Sequence, residues 1–297
     1  MLAAGLVFAG ILGLGGEASA QQISRLGESA RVLEEQKIEY VGPLDSALSV
    51  PLESVGLLGL ITYTGFKDWK WGSASFRFNS EGWFGMSTGS GGLDKVGHAY
   101  GAYMTSELLY WRLRATHGDR SVVSWYPALF GTLLYQYIEL FDGYSVDHGY
   151  SYQDVIMNSV GVGFSWLRNT FPIVRKTVDF RLFYYPSGGK TFQPMIDYEG
   201  QKFFGVLKLG GIPGLERTPA RFFEPFVGYY TRGFPRYAKS DVKSTHFMVG
   251  LSLSLSELIL RPLEESHGQP FKFINLASNY FQHPLYASYE RVRTRPR

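Results

Sequence analysis

The chain has 297 residues, of which 45% are hydrophobic, and this length allows one large domain or two modest ones, each with its own core. The formal charge of +3 is spread without long basic runs, which argues against a nucleic-acid partner. The 297 residues include no cysteine, which excludes a disulfide framework and a cysteine that carries a lipid.

Residues 1–20 have the features of a cleavable signal peptide. An apolar run covers residues 2–14, a Gly-Gly break follows, and Ala18-Ser19-Ala20 forms an A-x-A cleavage site. No Lys or Arg precedes the run, so retention as an anchor is the alternative. The run is shorter than the roughly 20 residues that span a bilayer, which favours cleavage. The sequence therefore predicts export, to the periplasm or the outer membrane.

Residues 21–90 are predicted to form a polar arm and a lead-in rich in glycine and tryptophan. Ile23, Leu26, Ala30 and Leu33 have helical spacing, which indicates a short amphipathic helix or a mobile arm. Aromatic residues make up 16% of the chain. Aromatic rings are favoured at membrane interfaces, and an aromatic-rich sheet core is the alternative explanation.

Residues 91–175 are predicted to form a helical core, with helices over residues 94–114, 122–141 and 151–170. Each helix is mostly apolar but is interrupted by acids, histidine or amides, so the helices are buried, interfacial or marginally embedded in a membrane. Residues 176–297 contain strand-like runs, and residues 250–255 alternate leucine with glycine or serine. The predicted fold class is α+β, with an N-terminal apolar helical bundle and a β-rich, aromatic-rich C-terminal region.

The first polar motif lies at the start of the predicted helical core. Asp94 and His98 are four residues apart and share one helix face. A carboxylate beside an imidazole can orient it as a general base, or both can bind a metal. The structural alternative is that Asp94 is a first-turn acid favoured by the helix dipole and that His98 is simply packed.

Two further groups of polar residues follow. Glu139 and Asp142 lie one turn apart at a helix C-terminus, where acids oppose the helix dipole. Ser151 and Asp154 approximate a capping box, which is a structural role. Asn158 lies in an apolar run, and a buried amide needs partners.

These helices are predicted to bring their polar residues to one shared internal site, with independent helix caps as the alternative. No HExxH, GxSxG, P-loop or GxGxxG motif is present. The sequence assigns no cofactor, and it leaves open whether the site is catalytic, metal-binding or structural. The candidate residues are Asp94, Lys95, His98, Glu139, Asp142, Asp154 and Asn158.

Three motifs in this region resemble the YfiM-like family of predicted periplasmic lipoproteins, a domain of unknown function. They are D-K-x-G-H-x-x-x-x-Y at residues 94–103, E-x-x-D-G-Y-S at residues 139–145, and Y-S-Y-Q-D-x-x-x-N at residues 150–158. A looser similarity runs to VanZ-like membrane proteins. The resemblance implies an envelope location and a helical core around the polar residues, but no known reaction. The missing cysteine departs from the lipoprotein pattern, and Tyr152-Gln153 stands where many members of that family have Trp-Gly.

Two functional hypotheses follow from these observations, and they leave open whether the protein is an enzyme. The first is a non-enzymatic envelope protein with a structural or binding role, associated with the outer membrane or embedded in it. The second is an envelope hydrolase or transferase acting on lipid or glycan, with His98 as base, Asp94 orienting it, and Glu139 or Asp154 as second acid or metal ligand. The expected partners are a membrane or lipid surface and other envelope proteins, with no nucleic acid.

Overall fold

The computed structural model describes residues 43–117, 125–187, 192, 194, 197–234 and 242–296. The predicted signal peptide and the predicted amphipathic helix near residues 21–37 lie outside these ranges. Within them the chain combines helices with an antiparallel sheet, which confirms the mixed fold class.

The helices lie mainly in the first part of the chain and the strands in the second. The helices are α1 (Pro43–Ser49), α2 (Pro51–Asp68), α3 (Leu93–His117), α4 (Trp125–Asp142), α5 (Tyr152–Thr170), α6 (Pro172–Thr177), α7 (Arg261–His267) and α8 (Gln269–Ala277). A π-helical segment, Ser256–Leu260, precedes α7. The strands are β1 (Val178–Tyr184), β2 (Gln201–Leu207), β3 (Phe223–Arg232), β4 (Val242–Leu253) and β5 (Tyr286–Pro296).

The central helices α3, α4 and α5 correspond to the three predicted ones, and α5 begins at the predicted cap. Ser151 Oγ accepts a hydrogen bond from the Asp154 backbone N–H at 3.3 Å, which satisfies one of the free donors at the helix start. By contrast, the sequence does not predict α2. Pro51 lies in the first turn of α2, where a proline is tolerated because no N–H is needed there.

Helices α3 and α5 cross at very short range. Gly161 on α5 lies against the backbone of Ala99 on α3, and a Cβ at Gly161 would overlap the Ala99 carbonyl oxygen. Small residues at such a crossing let two helix backbones approach closely, which brings polar side chains from both helices within bonding distance.

The strands form one antiparallel sheet in the order β1-β2-β3-β4-β5. One face packs on α3 through a core cluster that includes Tyr100, Tyr103, Leu182 and Phe203. The opposite face has its own core cluster of Phe204, Val206, Phe226, Tyr230 and Met248. Because side chains alternate between the two faces of a strand, neighbouring residues such as Phe203 and Phe204 belong to different cores.

Among the helices that the structure describes, none combines the length and the apolar character that crossing a bilayer requires.

Candidate functional site

A tight glycine turn places the first polar residues of the site. Gly91 and Gly92 have φ angles of +73° and +88°, a backbone conformation that glycine adopts at no steric cost. Ser90 Oγ accepts from the Asp94 backbone N–H at 3.4 Å, and its hydroxyl donates to the Asp94 carboxylate. This turn starts α3 and holds Asp94 in its first turn.

Lys95 is the centre of the site, with a side chain that is only 1% exposed. Its ammonium nitrogen lies 2.5 Å from Glu81 Oε2, 2.9 Å from Asp94 Oδ2 and 2.8 Å from Asp154 Oδ1. The three carboxylates come from the loop before α3, from α3 itself and from α5. A single buried cation therefore joins three separate segments of the chain.

His98 and Asn158 form the second half of the site, next to Glu139 on α4. His98 Nδ1 lies 3.2 Å from Asn158 Oδ1 and 3.4 Å from Glu139 Oε1. The Asn158 amide donates to Glu139 Oε1 at 3.1 Å. On the other side of the ring, His98 Nε2 lies 3.8 Å from Asp154 Oδ1. The buried amide thus finds its partners in the neighbouring helices, as its apolar surroundings predict.

Seven residues are called the polar cluster from here on. They are Glu81, Asp94, Lys95, His98, Glu139, Asp154 and Asn158.

The ionisable groups of the polar cluster affect one another strongly. Burial would lower the pKa of Lys95, but Asp94, Asp154 and Glu81 together raise it above its ordinary value. Burial also opposes the charged form of His98, yet Asp154 and Glu139 produce a net raised pKa. Burial raises the pKa of Glu139 to about 8, against the lowering effect of His98. Lys95 is therefore charged, whereas Glu139 favours its protonated form near neutrality.

The structure brings together six of the seven predicted residues and places Asp142 at the edge. The Asp142 carboxylate accepts a hydrogen bond from the Trp71 indole at 2.7 Å, and its charge helps to raise the pKa of Glu139. Asp94 binds Ser90 and Lys95. The contacts that orient the imidazole of His98 come from Asn158 and Glu139 instead of Asp94.

Sequence reasoning missed Glu81, which lies in the loop before α3. Its carboxylate contacts Lys95, but a Gly/Ser-rich loop gives no periodic pattern that would place it. The available signal was Lys95 itself, because a lysine in a buried helix face requires several acidic partners. Whether the polar cluster is catalytic stays a prediction.

Two sets of side chains have a spacing suitable for a metal ion. His98, Glu139 and Asp154 offer ligand atoms within 4.8 Å of one another, and Glu81, Asp94 and Asp154 do the same. Imidazole and carboxylate ligands suit zinc, whereas carboxylates alone suit harder cations. The Lys95 ammonium already lies among the second set, so a metal there would meet a like charge. The first set is the better candidate.

A separate buried ion network connects the helices to the sheet. Asp179 on β1 lies 2.6 Å from Arg168 Nη1, 2.6 Å from Arg181 Nη2 and 2.7 Å from Lys208 Nζ. Arg181 also pairs with Glu224 on β3 at 2.7 Å. Sequence reasoning missed this network, although single charges inside apolar strand runs such as FRLFYY and FFEPFV mark two of its members.

Residues 80–170 match a family model described as a predicted periplasmic lipoprotein, DUF2279. The match spans 91 of the 297 residues, contains every member of the polar cluster and ends before β1. Its description agrees with the predicted export to the periplasm. No curated protein matches the chain. No solved structure matches it either.

Proposed function

We propose that the protein is an exported cell-envelope protein that acts through binding and not catalysis, at the periplasmic side of the outer membrane. Its three central helices form an apolar bundle that the polar cluster holds together. The observation that carries this proposal is the burial of Lys95 among three carboxylates from three segments of the chain.

The arrangement of charges supports a structural role for the polar cluster. A buried cation is tolerated when it is paired and hydrogen-bonded on several sides. Lys95 donates hydrogen bonds to Glu81 and Asp94 and forms an ion pair with Asp154 at 2.8 Å. An ammonium group held in this way has a raised pKa, so it is poorly suited to giving up a proton in a reaction. Its geometry favours fixing the relative positions of α3 and α5.

The surface of the protein supports a binding role. Helix α2 presents an open, mainly apolar surface that includes Val55, Leu58, Tyr63 and Phe66. Leu52 and Leu60 on the same helix are also well exposed. Exposed apolar patches of this kind are typical of interaction sites. This surface includes no residue of the polar cluster, so the two features are spatially separate.

Cell fractionation tests the proposed location. The chain with a C-terminal epitope is expressed in a Gram-negative host, and the periplasm, inner membrane and outer membrane are separated. We expect the processed protein in the outer-membrane fraction. Recovery of the processed protein entirely in the soluble periplasmic fraction would contradict membrane association.

The second candidate function is an envelope hydrolase or transferase acting on lipid or glycan. It is favoured by His98, whose side chain is 26% exposed and whose ring is held by Asn158 at 3.2 Å. In this case His98 takes the proton from an attacking hydroxyl or water, and Glu139 or Asp154 provides the second acid. His98→Ala should then leave the fold intact and abolish turnover of an envelope lipid or glycan. Unchanged turnover would exclude His98 as the base.

A further inference from the structure

The face of the sheet that packs on α3 extends well beyond the helix. Near β1 and β2 this face is covered, and Leu182 and Phe203 are buried there. Farther along, the same face carries large apolar side chains that are substantially exposed within the described part of the chain. They are Leu207, Phe223, Val227, Phe247, Val249, Leu251, Leu253 and Tyr289, and are called the apolar sheet face.

The strand register shows that these side chains form one continuous surface. Val227 pairs with Val249, and Val249 pairs with Tyr289, so the three residues form a row across β3, β4 and β5. Val227 and Val249 are each 49% exposed, and Tyr289 is 77% exposed. Side chains directly opposite each other in an antiparallel pair lie about 5 Å apart. The row is therefore an unbroken apolar patch.

A basic band borders this patch on the edge strand β5. Arg291, Arg293 and Arg295 alternate along β5 in phase with Tyr289, so they project from the same face. All three are exposed, and no ion pair joins them to any residue that the structure describes. Arg291 pairs in register with Phe247, which brings the positive charge directly beside the apolar patch.

No acidic residue occupies this face in the five strands. The acidic strand residues Asp179 and Glu224 point to the opposite face, where they pair with Arg181, and Glu290 lies on that face with Tyr230. The face is thus apolar at its centre, basic at one border and free of negative charge in the strands.

We infer that the apolar sheet face and its arginine band form a docking surface for a bilayer that contains anionic phospholipid. The apolar side chains enter the boundary between headgroups and acyl chains, Tyr289 lies at the headgroup level, and the three guanidinium groups bind lipid phosphates. This inference rests on the membrane association proposed above and identifies the surface responsible for it.

The charge pattern favours a lipid surface over a second copy of the chain. A symmetric dimer through this face would bring two arginine bands to one interface, and the face offers no strand carboxylate to pair with them. Unpaired like charges in an interface are unfavourable. An anionic membrane supplies the opposite charge over the whole area, because its surface potential attracts basic residues.

Vesicle co-sedimentation tests the inference with the purified processed protein. Vesicles of phosphatidylglycerol and phosphatidylethanolamine are compared with vesicles of phosphatidylcholine alone. We expect binding to the first set that weakens as salt is added, since salt screens charged groups at the surface. Replacing Arg291, Arg293 and Arg295 together by Gln should weaken this binding by about a hundredfold, since each basic residue near an anionic surface contributes about fivefold.

Two control variants separate the sheet face from the rest of the molecule. Replacing the exposed Lys70, Lys176 and Lys272 by Gln removes three positive charges elsewhere and should leave binding nearly unchanged. The apolar pair Phe247→Ser and Val249→Ser should weaken binding. The matched pair Ile156→Ser and Val160→Ser, at exposed positions of α5, should not weaken it. Thermal melts of all variants establish that they are folded.

The outcomes distinguish this inference from the proposed function. If the wild type binds anionic vesicles and the arginine variant binds equally well, the inferred docking surface is incorrect. The proposed membrane association is still supported by that result. If the wild type binds no vesicle, the inference is overturned, and cell fractionation decides separately whether the proposed membrane association also fails. If light scattering instead shows a dimer that Val249→Ser dissociates, while vesicle binding is unaffected, the face is an interface between copies and the inference is overturned.

Discussion

Lys95 Nζ lies 2.8 Å from Asp154 Oδ1, and the two side chains are only 1% and 5% exposed. This contact joins α3 to α5 inside the protein, where water cannot replace either partner. Because a buried ion left without its partner is costly, the stability of the helical core should depend on this pair more than on any surface ion pair.

Removal of the cation should destabilise the protein strongly. Lys95→Met leaves Glu81, Asp94 and Asp154 without their common partner, and we expect a loss of about 3–5 kcal/mol in the free energy of unfolding. Chemical denaturation of wild type and variant measures this loss. The double variant Lys95→Met, Asp154→Asn should lose less than the sum of the single changes, because it also removes one of the orphaned charges. A Lys95→Met protein as stable as the wild type would contradict a structural role for Lys95 in the polar cluster.

Stability should fall as pH rises through neutrality. The pKa of Glu139 is raised from 4.5 to about 8, first by burial, and that of His98 is also raised, by Asp154 and Glu139 against the effect of burial. A raised folded-state pKa means that the folded protein holds its proton more tightly than the unfolded chain does. The stabilisation is therefore complete below the unfolded pKa and is lost as pH rises through the folded pKa.

Denaturation curves between about pH 5 and pH 9 should show this loss as a few kcal/mol, since tenfold weaker proton binding corresponds to about 1.4 kcal/mol. Glu139→Gln keeps an oxygen that can accept from Asn158 and removes the titrating carboxyl. The variant should therefore show a flatter pH dependence. An equal slope in both proteins would mean that Glu139 is not the group responsible.

The close crossing of α3 and α5 gives a test with a matched control on the same helix. Gly161→Ala places a methyl group against the Ala99 carbonyl, and overpacking of this kind costs about 1–3 kcal/mol. Gly163 has no neighbour within 4 Å of an added Cβ, so Gly163→Ala should instead stabilise α5 by up to about 1 kcal/mol. The melting temperatures of the two variants should shift in opposite directions. Shifts in the same direction would contradict the close contact between α3 and α5.

The buried ion network should be as important as the polar cluster. Burial alone would raise the pKa of Asp179, but Lys208, Arg181 and Arg168 lower it below its ordinary range. The contribution of the Asp179 ion pairs to the free energy of unfolding is present above the unfolded-state pKa of Asp179 and is lost only in strong acid. At neutral pH, Asp179→Asn should cost about 3–5 kcal/mol.

Asp147→Asn is the matched control for Asp179→Asn. Asp147 pairs with Lys70 at 2.9 Å, but both side chains are well exposed. Exposed pairs contribute about 0–1 kcal/mol. Similar losses in the two variants, measured by denaturation, would show that burial does not set the strength of the Asp179 contacts.

The central helices could be predicted because their signals are local. Ser151 caps α5, the Gly91-Gly92 turn starts α3, and both segments are mostly apolar with a few polar interruptions. Helix α2 could not be predicted in this way, because Gly56, Gly59 and Gly65 weaken its intrinsic helical tendency. Its position is fixed by packing, with Gly65 directly beneath the Trp71 ring.

The convergence of the polar residues was predictable only in outline. Asn158 in an apolar run requires partners, and the acids and histidine of the neighbouring helices were the available ones. The sequence could not show that Lys95 lies at the centre of the polar cluster or that Glu81 forms an ion pair with it. Nor could it show that Asp142 accepts a hydrogen bond from Trp71. Those contacts depend on how the loop before α3 folds back over the helix, and no residue spacing encodes that path.

A thermal melt tests most directly whether the polar cluster is structural. Wild type, His98→Ala and Asp154→Asn are melted with a chelator, without additions, and with zinc or calcium. We predict that both variants melt a few degrees lower, because a buried partner left unpaired costs about 1–3 kcal/mol, and that metal changes nothing. A wild-type melting temperature that rises with metal, together with variants that lose this response, would contradict the account and identify His98, Glu139 and Asp154 as a metal site.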